Sequence, residues 1–234
     1  MFDFTAKSVV VTGGTSGIGH AIASAFSTAG AKVVAAGLPS NDFSLPNVET
    51  AIVDVADTQA IVSLFEKLPE IHVLVNAAGI IRREEEFELD VFARVLDVNL
   101  TGVMRACAAA HPKLSQSKGS IVNIASMLSF FGGPRAPAYS ASKGGIAQLT
   151  RSLAVAWAAD GIRVNAVAPG WIATPLTTAL QNDTVRSDQL LARTPLRRWG
   201  LPGDIVGPVL FLCSEEASFM TGAIVTVDGG YSAA

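Results

Sequence analysis

The residues with the clearest capacity for chemistry are Tyr139-Ser140-Ala141-Ser142-Lys143. A tyrosine and a lysine four positions apart share one face of a helix. A free tyrosine ionises near pH 10 and is a poor base at neutral pH. A lysine ammonium roughly 5 Å away, at an effective dielectric of about 20, stabilises the phenolate by about 3 kcal/mol, roughly two pKa units. The spacing therefore predicts Tyr139 as a general acid/base whose pKa is lowered by Lys143. Such pairs also occur as ordinary packing pairs, so the company they keep must decide. Ser126 follows the apolar run Ile121–Ile124, and Asn99 lies in a helical stretch downstream of Val73–Val75.

A second candidate is Thr12–Gly19, TGGTSGIG. Gly13, Gly17 and Gly19 follow a β-branched run and open a helical pattern. Lacking a Cβ, they let the backbone approach a pyrophosphate, and the helix start offers free N–H groups and partial positive charge to it. A glycine-rich turn without a ligand is the competing reading. Its position in the first strand–helix unit favours the ligand.

These residues need a frame. Apolar runs at Val9–Val11, Ala31–Ala36, Ala51–Val53, Val73–Val75, Ile121–Ile124, Val164–Val167 and Ile224–Val227 read as strands. Helical patterns at Ile18–Thr28, Gln59–Leu68, Phe92–Ala110, Ser140–Ala158 and Asp204–Leu212 separate most of them. Strands that are continuously apolar rather than alternating belong to a parallel sheet covered on both faces. The predicted fold is α/β, one doubly wound, Rossmann-like parallel sheet with helices on both faces, residues 1–234 forming a single dinucleotide-binding and catalytic domain. Gly37–Val48, with two prolines, is too short for a crossover helix and is predicted to be a loop or a single turn.

Composition narrows the class. Of 234 residues, 50% are hydrophobic and 16% charged, which excludes a disordered chain. Seventeen basic against twenty acidic residues leave no electrostatic footprint for nucleic acid. No apolar run reaches the roughly 18 residues of a membrane span, and the start carries no secretory signal pattern. Cys107 and Cys213, the two cysteines, stand far apart without neighbouring ligands, so neither a disulfide framework nor a metal site is expected. A reduced, soluble, cytoplasmic protein follows, with no nucleic-acid or membrane partner.

TGGTSGIG, Asp54, Asn76-Ala77-Ala78-Gly79, Asn99, Ser126, Tyr139-x-x-x-Lys143, Pro169-Gly170 and Val227-Asp228-Gly229-Gly230, in this order, resemble the short-chain dehydrogenase/reductase family. The resemblance implies an oxidoreductase passing a hydride between a nicotinamide cofactor and a secondary alcohol or ketone. It implies Tyr139 as acid/base, Lys143 holding the nicotinamide ribose, Ser126 bonding the substrate oxygen, and Asn99 holding a water of a proton relay. Gly13, Thr15, Ser16, Gly17, Ile18 and Gly19 would cradle the pyrophosphate side. Asp54 would contact the adenine, with Val55 beside it among the cofactor-binding residues. Asn76, Ala77 and Gly79 would line the cofactor, and Ile172 and Thr174 its carboxamide. A homotetramer is the family expectation. All four catalytic positions are intact, which disfavours a cofactor-binding regulatory protein without turnover.

A carboxylate at the end of the second strand normally holds the ribose of NAD, and a nearby arginine the 2′-phosphate of NADP. Here Gly37 and Leu38 are neither, and the glycine turn has no arginine or lysine. NAD(H) is therefore expected over NADP(H), with Asp42 a candidate for the ribose. Ile80–Glu84 (IIRRE), Ile124–Phe130 (IASMLSF) and Arg198–Pro202 (RWGLP) resemble the subgroup acting on sugar acids, the gluconate 5-dehydrogenases and the 2-deoxy-D-gluconate 3-dehydrogenase/2-dehydro-3-deoxy-D-gluconate 5-dehydrogenase group. Arginine grips carboxylates with two hydrogen bonds. Arg82 or Arg135 is the expected carboxylate anchor, with 3-oxoacyl thioester reduction as the alternative activity.

Overall fold

The computed structural model describes residues 2–40 and 45–234. Asp42 lies outside the described residues. β1 (Ser8–Thr12) leads into α1 (Gly17–Thr28), followed by β2 (Lys32–Gly37) and β3 (Val48–Ile52). α2 (Thr58–Lys67) connects to β4 (Val73–Asn76), after which α3 (Leu89–Leu96) runs through a π turn (Asp97–Thr101) into α4 (Gly102–Ser117). β5 (Ser120–Ile124), α5 (Pro137–Ala156) and β6 (Arg163–Pro169) follow, then α6 (Thr178–Gln181), α7 (Thr184–Arg193), α8 (Pro202–Cys213) and β7 (Ile224–Val227).

The seven strands pair in parallel in the order β3-β2-β1-β4-β5-β6-β7. This is the Rossmann-like, doubly wound sheet expected. Successive strand residues point to opposite faces, and both faces are buried. Val10 faces the layer of α2, α4 and α5, with Ile61, Leu114 and Ile146. Val9 and Val11 face α1 and α8, with Ile22, Phe26, Ile205 and Leu212. The chain leaves β1 toward β2 and β3 on one side and resumes at β4 on the other, where Thr12 pairs with Asn76. Loops diverging from these neighbouring carboxyl ends open the crevice in which such sheets bind ligands.

Three local expectations need revision. The single helix predicted over Phe92–Ala110 is α3, a π turn and α4. α4 also continues through Pro112, since Leu114 is fully buried and Lys113 Nζ docks on the Phe65 and Leu68 carbonyls at the end of α2. The sequence reading missed α6 and α7. Of the ten residues of α7 only Ser187 is buried, and its Val185 is exposed, so no apolar face marks it. Between β2 and β3 the described residues form no helix, as expected of that segment. No helix among the described residues is long and apolar enough to cross a membrane. Cys107 and Cys213 are buried free thiols.

Candidate active site

The turn from β1 to α1 is built on glycines with separate jobs. A Cβ on Gly19 would lie 2.1 Å from the Gly13 carbonyl oxygen, and one on Gly13 would lie 2.5 Å from the Ala78 nitrogen. These two glycines allow the turn to fold on itself and to press against the loop after β4. Gly17 has φ +53°, and its missing Cβ would face Thr174, 3.5 Å away across the crevice. Ser16 caps α1 without a side-chain hydrogen bond, so the first-turn N–H groups keep their partial positive charge. Thr15, buried, donates its hydroxyl to Leu38 O at 2.9 Å and fixes the turn to the end of β2. Ile18 packs its side chain into the α1/α8 core layer.

Along the same edge, Asp54 accepts from Ala56 N and pairs with Arg94 at 2.8 Å. The Ala56 N–H and the Arg94 guanidinium hold its carboxyl below the usual range, against a smaller opposing effect of burial. Val55 is buried against Gly102. Asn76 turns its side chain into the sheet, accepting from Thr12 Oγ1 and donating to Asn123 Oδ1, whose own amide donates to Thr150 Oγ1 of α5. This buried polar chain ties β1, β4, β5 and α5 beneath the crevice. Asn76 therefore offers a ligand its backbone, not its amide. Ala77 N continues the ladder to Thr12 O. Ile172 is buried, and Thr174 is held by Thr177 Oγ1 to its main-chain N–H at 3.1 Å.

Ser126, Tyr139, Lys143, Asn99 and Gly79 converge at the carboxyl ends of β4 and β5. Pro137 opens α5, so Tyr139 sits in its first turn and Lys143 one turn on. The Ser126 hydroxyl accepts from Leu128 N at 3.1 Å and lies close enough to the Tyr139 phenol to lower its pKa. Lys143, 5% exposed, donates from Nζ to Ile124 O at 2.6 Å and lies 5.6 Å from the centre of the Tyr139 ring. A Cβ on Gly79 would stand 3.4 Å from Asn99 Oδ1 and 3.8 Å from Lys143 Nζ.

Asn99 lies in the π turn, where Gly102 N–H reaches back to Asp97 O. The widened turn aims its fully buried amide at the loop after β4, where it accepts from Ile80 N and donates to Ile80 O, both at 2.8 Å. Its amide also donates to Ser142 Oγ, which in turn donates to Tyr139 O. Two further serines, unnoticed in the sequence, hold the site. Ser129 Oγ accepts from Ser126 N and donates to Lys143 O, and Ser140 Oγ accepts from Gly133 N.

The electrostatics correct one expectation. Tyr139 has its pKa raised, not lowered: burial dominates, the Ser126 hydroxyl and Arg83 oppose it, and Glu86 adds to it. Burial also pushes Lys143 down to about 8. The simple Coulomb estimate treated both groups as charged and ignored the desolvation that penalises each charged form. Besides Lys143, the cation within electrostatic range of the phenol is Arg83, half-buried in the turn after β4, which the sequence reading passed over in favour of Arg82 and Arg135. Arg82 is exposed, and Arg135 pairs with Glu84. Neither is brought to the phenol by any contact among the described residues. Nothing in the local sequence separates Arg83 from Arg82, because a turn decides which of two adjacent side chains faces inward.

A family profile described as enoyl-(acyl carrier protein) reductase matches residues 13–232. The 2-dehydro-3-deoxy-D-gluconate 5-dehydrogenase of Bacillus subtilis (strain 168) is 40% identical, the alignment covering 98% of this chain and 96% of that protein. The enzyme of the same name from Escherichia coli (strain K12) is 38% identical over 99% and 98%. The chain belongs to the short-chain dehydrogenase/reductase family. It is an NAD(P)-dependent oxidoreductase acting on alcohol groups.

Solved structures agree. A chain from Agrobacterium tumefaciens with bound NADP superposes with a TM-score of 0.93 at 42% identity, covering 100% of this chain and 99% of that one. A gluconate 5-dehydrogenase from Burkholderia cenocepacia J2315, in complex with NADP and tartrate, gives a TM-score of 0.92 at 32% identity over 100% and 98%. The residues of this chain fit a nicotinamide dinucleotide. Gly17, facing Thr174, and Gly79, facing Asn99 and Lys143, leave the crevice free of side chains at both ends. Bound there, the nicotinamide supplies the hydride donor or acceptor, and the proton falls to the chain.

Proposed function

We propose that this enzyme interconverts a secondary hydroxyl and a ketone on a sugar acid of the gluconate or deoxygluconate type. Tyr139 Oη gives a proton to the carbonyl oxygen in reduction and takes one from the hydroxyl in oxidation. Ser126 Oγ hydrogen-bonds the same substrate oxygen. Lys143 and Asn99 order the ribose side, and Gly13, Thr15, Ser16, Gly17, Ile18 and Gly19 with Ile172 and Thr174 line the pyrophosphate and carboxamide. Asp54 and Val55 lie toward the adenine, and Asn76, Ala77 and Gly79 contribute main chain. A raised Tyr139 pKa keeps the phenol protonated at neutral pH, the form needed for reduction.

The observation that carries the substrate class is Arg83, a half-buried guanidinium acting on the phenol from the turn after β4. A substrate carboxylate bound there by two hydrogen bonds would set the reacting carbon at a fixed distance from Tyr139. The names of the two bacterial relatives and the tartrate of the Burkholderia complex support the same class. Arg83 thus replaces Arg82 and Arg135 as the proposed anchor. The test is turnover of gluconate, 5-ketogluconate, 2-dehydro-3-deoxygluconate, a neutral hexose and an acetoacetyl thioester. Arg83→Leu should raise KM for the acids about a hundredfold and leave that of the neutral sugar unchanged. Preference for the thioester would replace this reading with acyl reduction, the activity in the family profile's description.

NAD(H) is the proposed cofactor. Its support is the uncharged end of β2, where Gly37 faces Thr15 Oγ1 and Leu38 is 59% exposed. A kcat/KM with NADPH equal to that with NADH would remove it. Exposed Val155 on α5, at 81%, and exposed Phe219 support the proposed homotetramer, and two free thiols support a reducing, cytoplasmic setting.

A further inference from the structure

Glu86 is 1% exposed and takes no part in the chemistry above. A buried carboxylate is costly unless paired. Among the described residues Glu86 forms no ion pair. Its two oxygens are divided between two main-chain donors: Oε1 accepts from Arg82 N and Oε2 from Tyr139 N, each at 2.8 Å. Its own N–H returns a bond to Arg82 O at 3.0 Å.

Both donors belong to the site. Tyr139 N–H is one of the first-turn donors that an α-helix cannot satisfy internally, and the N-cap residue of α5, Ala136, has no side chain to cap it. Glu86 supplies that cap from a distant segment, with its negative charge at the positive end of a 20-residue helix. Its other oxygen holds the turn that carries Arg83. One carboxylate thus bridges the residue that moves the proton and the turn of the arginine that faces it.

We infer that Glu86 is a positioning residue that locks the Arg83 turn to the first turn of α5, fixing guanidinium and phenol relative to each other. This rests on Tyr139 as the proton-transfer group, not on the identity of the alcohol. The groups facing the phenol are Arg83 and Glu86 from the turn after β4, Ser126 from the loop after β5, and Lys143 from its own helix. Arg135 and Arg186 act in turn on Arg83. Without the Glu86 charge, one of the two influences that oppose Arg83 is gone while burial remains, and Tyr139 ionises more readily.

The experiment compares wild type, Glu86→Gln, Glu86→Asp and Tyr139→Phe in alcohol oxidation from pH 6 to 10.5, using the best-turned-over alcohol and saturating dinucleotide. Glu86→Gln keeps the volume but leaves one of the two N–H donors without an acceptor. Its kcat should fall about tenfold to a hundredfold, the limb on which its oxidation rate rises with pH should move to lower pH, and dinucleotide affinity, read by fluorescence, should stay unchanged. Glu86→Asp, which restores the charge, should return the limb toward its wild-type position. A Gln variant with lower melting temperature but an unmoved limb and unchanged kcat would overturn the inference, making Glu86 a structural cap only. A Tyr139→Phe variant that keeps full turnover would overturn the underlying proton-transfer assignment instead.

Discussion

The two halves of the crevice are built by different means. The proposed nucleotide half, around β1, β2 and Asp54, relies on main chain: glycines that permit close approach, helix N–H groups, and a partly exposed Asp54–Arg94 pair. The proposed catalytic half, around β4, β5 and α5, relies on buried, hydrogen-bonded side chains, among them Asn99, Ser126, Ser142, Lys143 and Glu86. A dinucleotide offers a long, regular phosphate backbone that N–H groups can meet. A reacting carbon must be held within a fraction of an ångström, which needs locked side chains. The difference predicts that the catalytic half fails sharply and the nucleotide half, outside its tightest glycines, fails gradually.

The largest effect should come from Tyr139→Phe, which removes one oxygen and should lower kcat about 10²- to 10⁴-fold with little change in dinucleotide affinity. A loss of affinity equal to the loss of kcat would erase the distinction between the halves. Next, Gly19→Ala and Gly17→Ala divide the glycine turn. The first drives a Cβ to 2.1 Å from the Gly13 carbonyl and should cost about 3 kcal/mol or more in urea unfolding. The second meets only Thr174 at 3.5 Å, but at φ +53° it should cost about 1 kcal/mol and weaken NADH binding measured by fluorescence titration. Equal damage from both would show that the turn has no division of labour.

Lys143 sharpens the comparison through pH. Its folded pKa, about 8, lies below the 10.5 of the unfolded chain, so between these values the unfolded state binds more protons. Stability contributed at this residue therefore rises with pH from about 8 to 10.5 and is smallest when the buried ammonium is fully charged. Lys143→Met should gain stability relative to wild type by up to about 3 kcal/mol at pH 7, and the gain should vanish by pH 10.5 in paired urea titrations. The smallest effect belongs to Arg94→Ala. Its pair with Asp54 is partly exposed, so the loss should stay under about 1 kcal/mol and shrink with added salt in the same titrations.

The sheet was legible in the sequence because its five inner strands are apolar and buried on both faces. Seven apolar runs mark seven strands, displaced by at most a few residues at their ends, as with β3, which begins at Val48 through pairing with Val33. The Tyr139–Lys143 spacing and the glycine order likewise survive translation into geometry, since both depend on residues close in the chain. α7 was not legible because it hides almost nothing, and the π turn was not because the apolar pattern continues across it through Val95, Val98 and Val103.

Local order in the chain thus determined the fold, the family and the spacing of the proposed proton-transfer pair. Tertiary structure alone decided that Arg83 rather than Arg82 is half-buried within electrostatic range of the phenol, that Glu86 is a buried bridge between two segments, and that Tyr139 is raised rather than lowered. The physical reason is common to all three. Direction along a turn and the cost of removing charge from water depend on what packs around a residue, and those neighbours are supplied by segments distant in sequence.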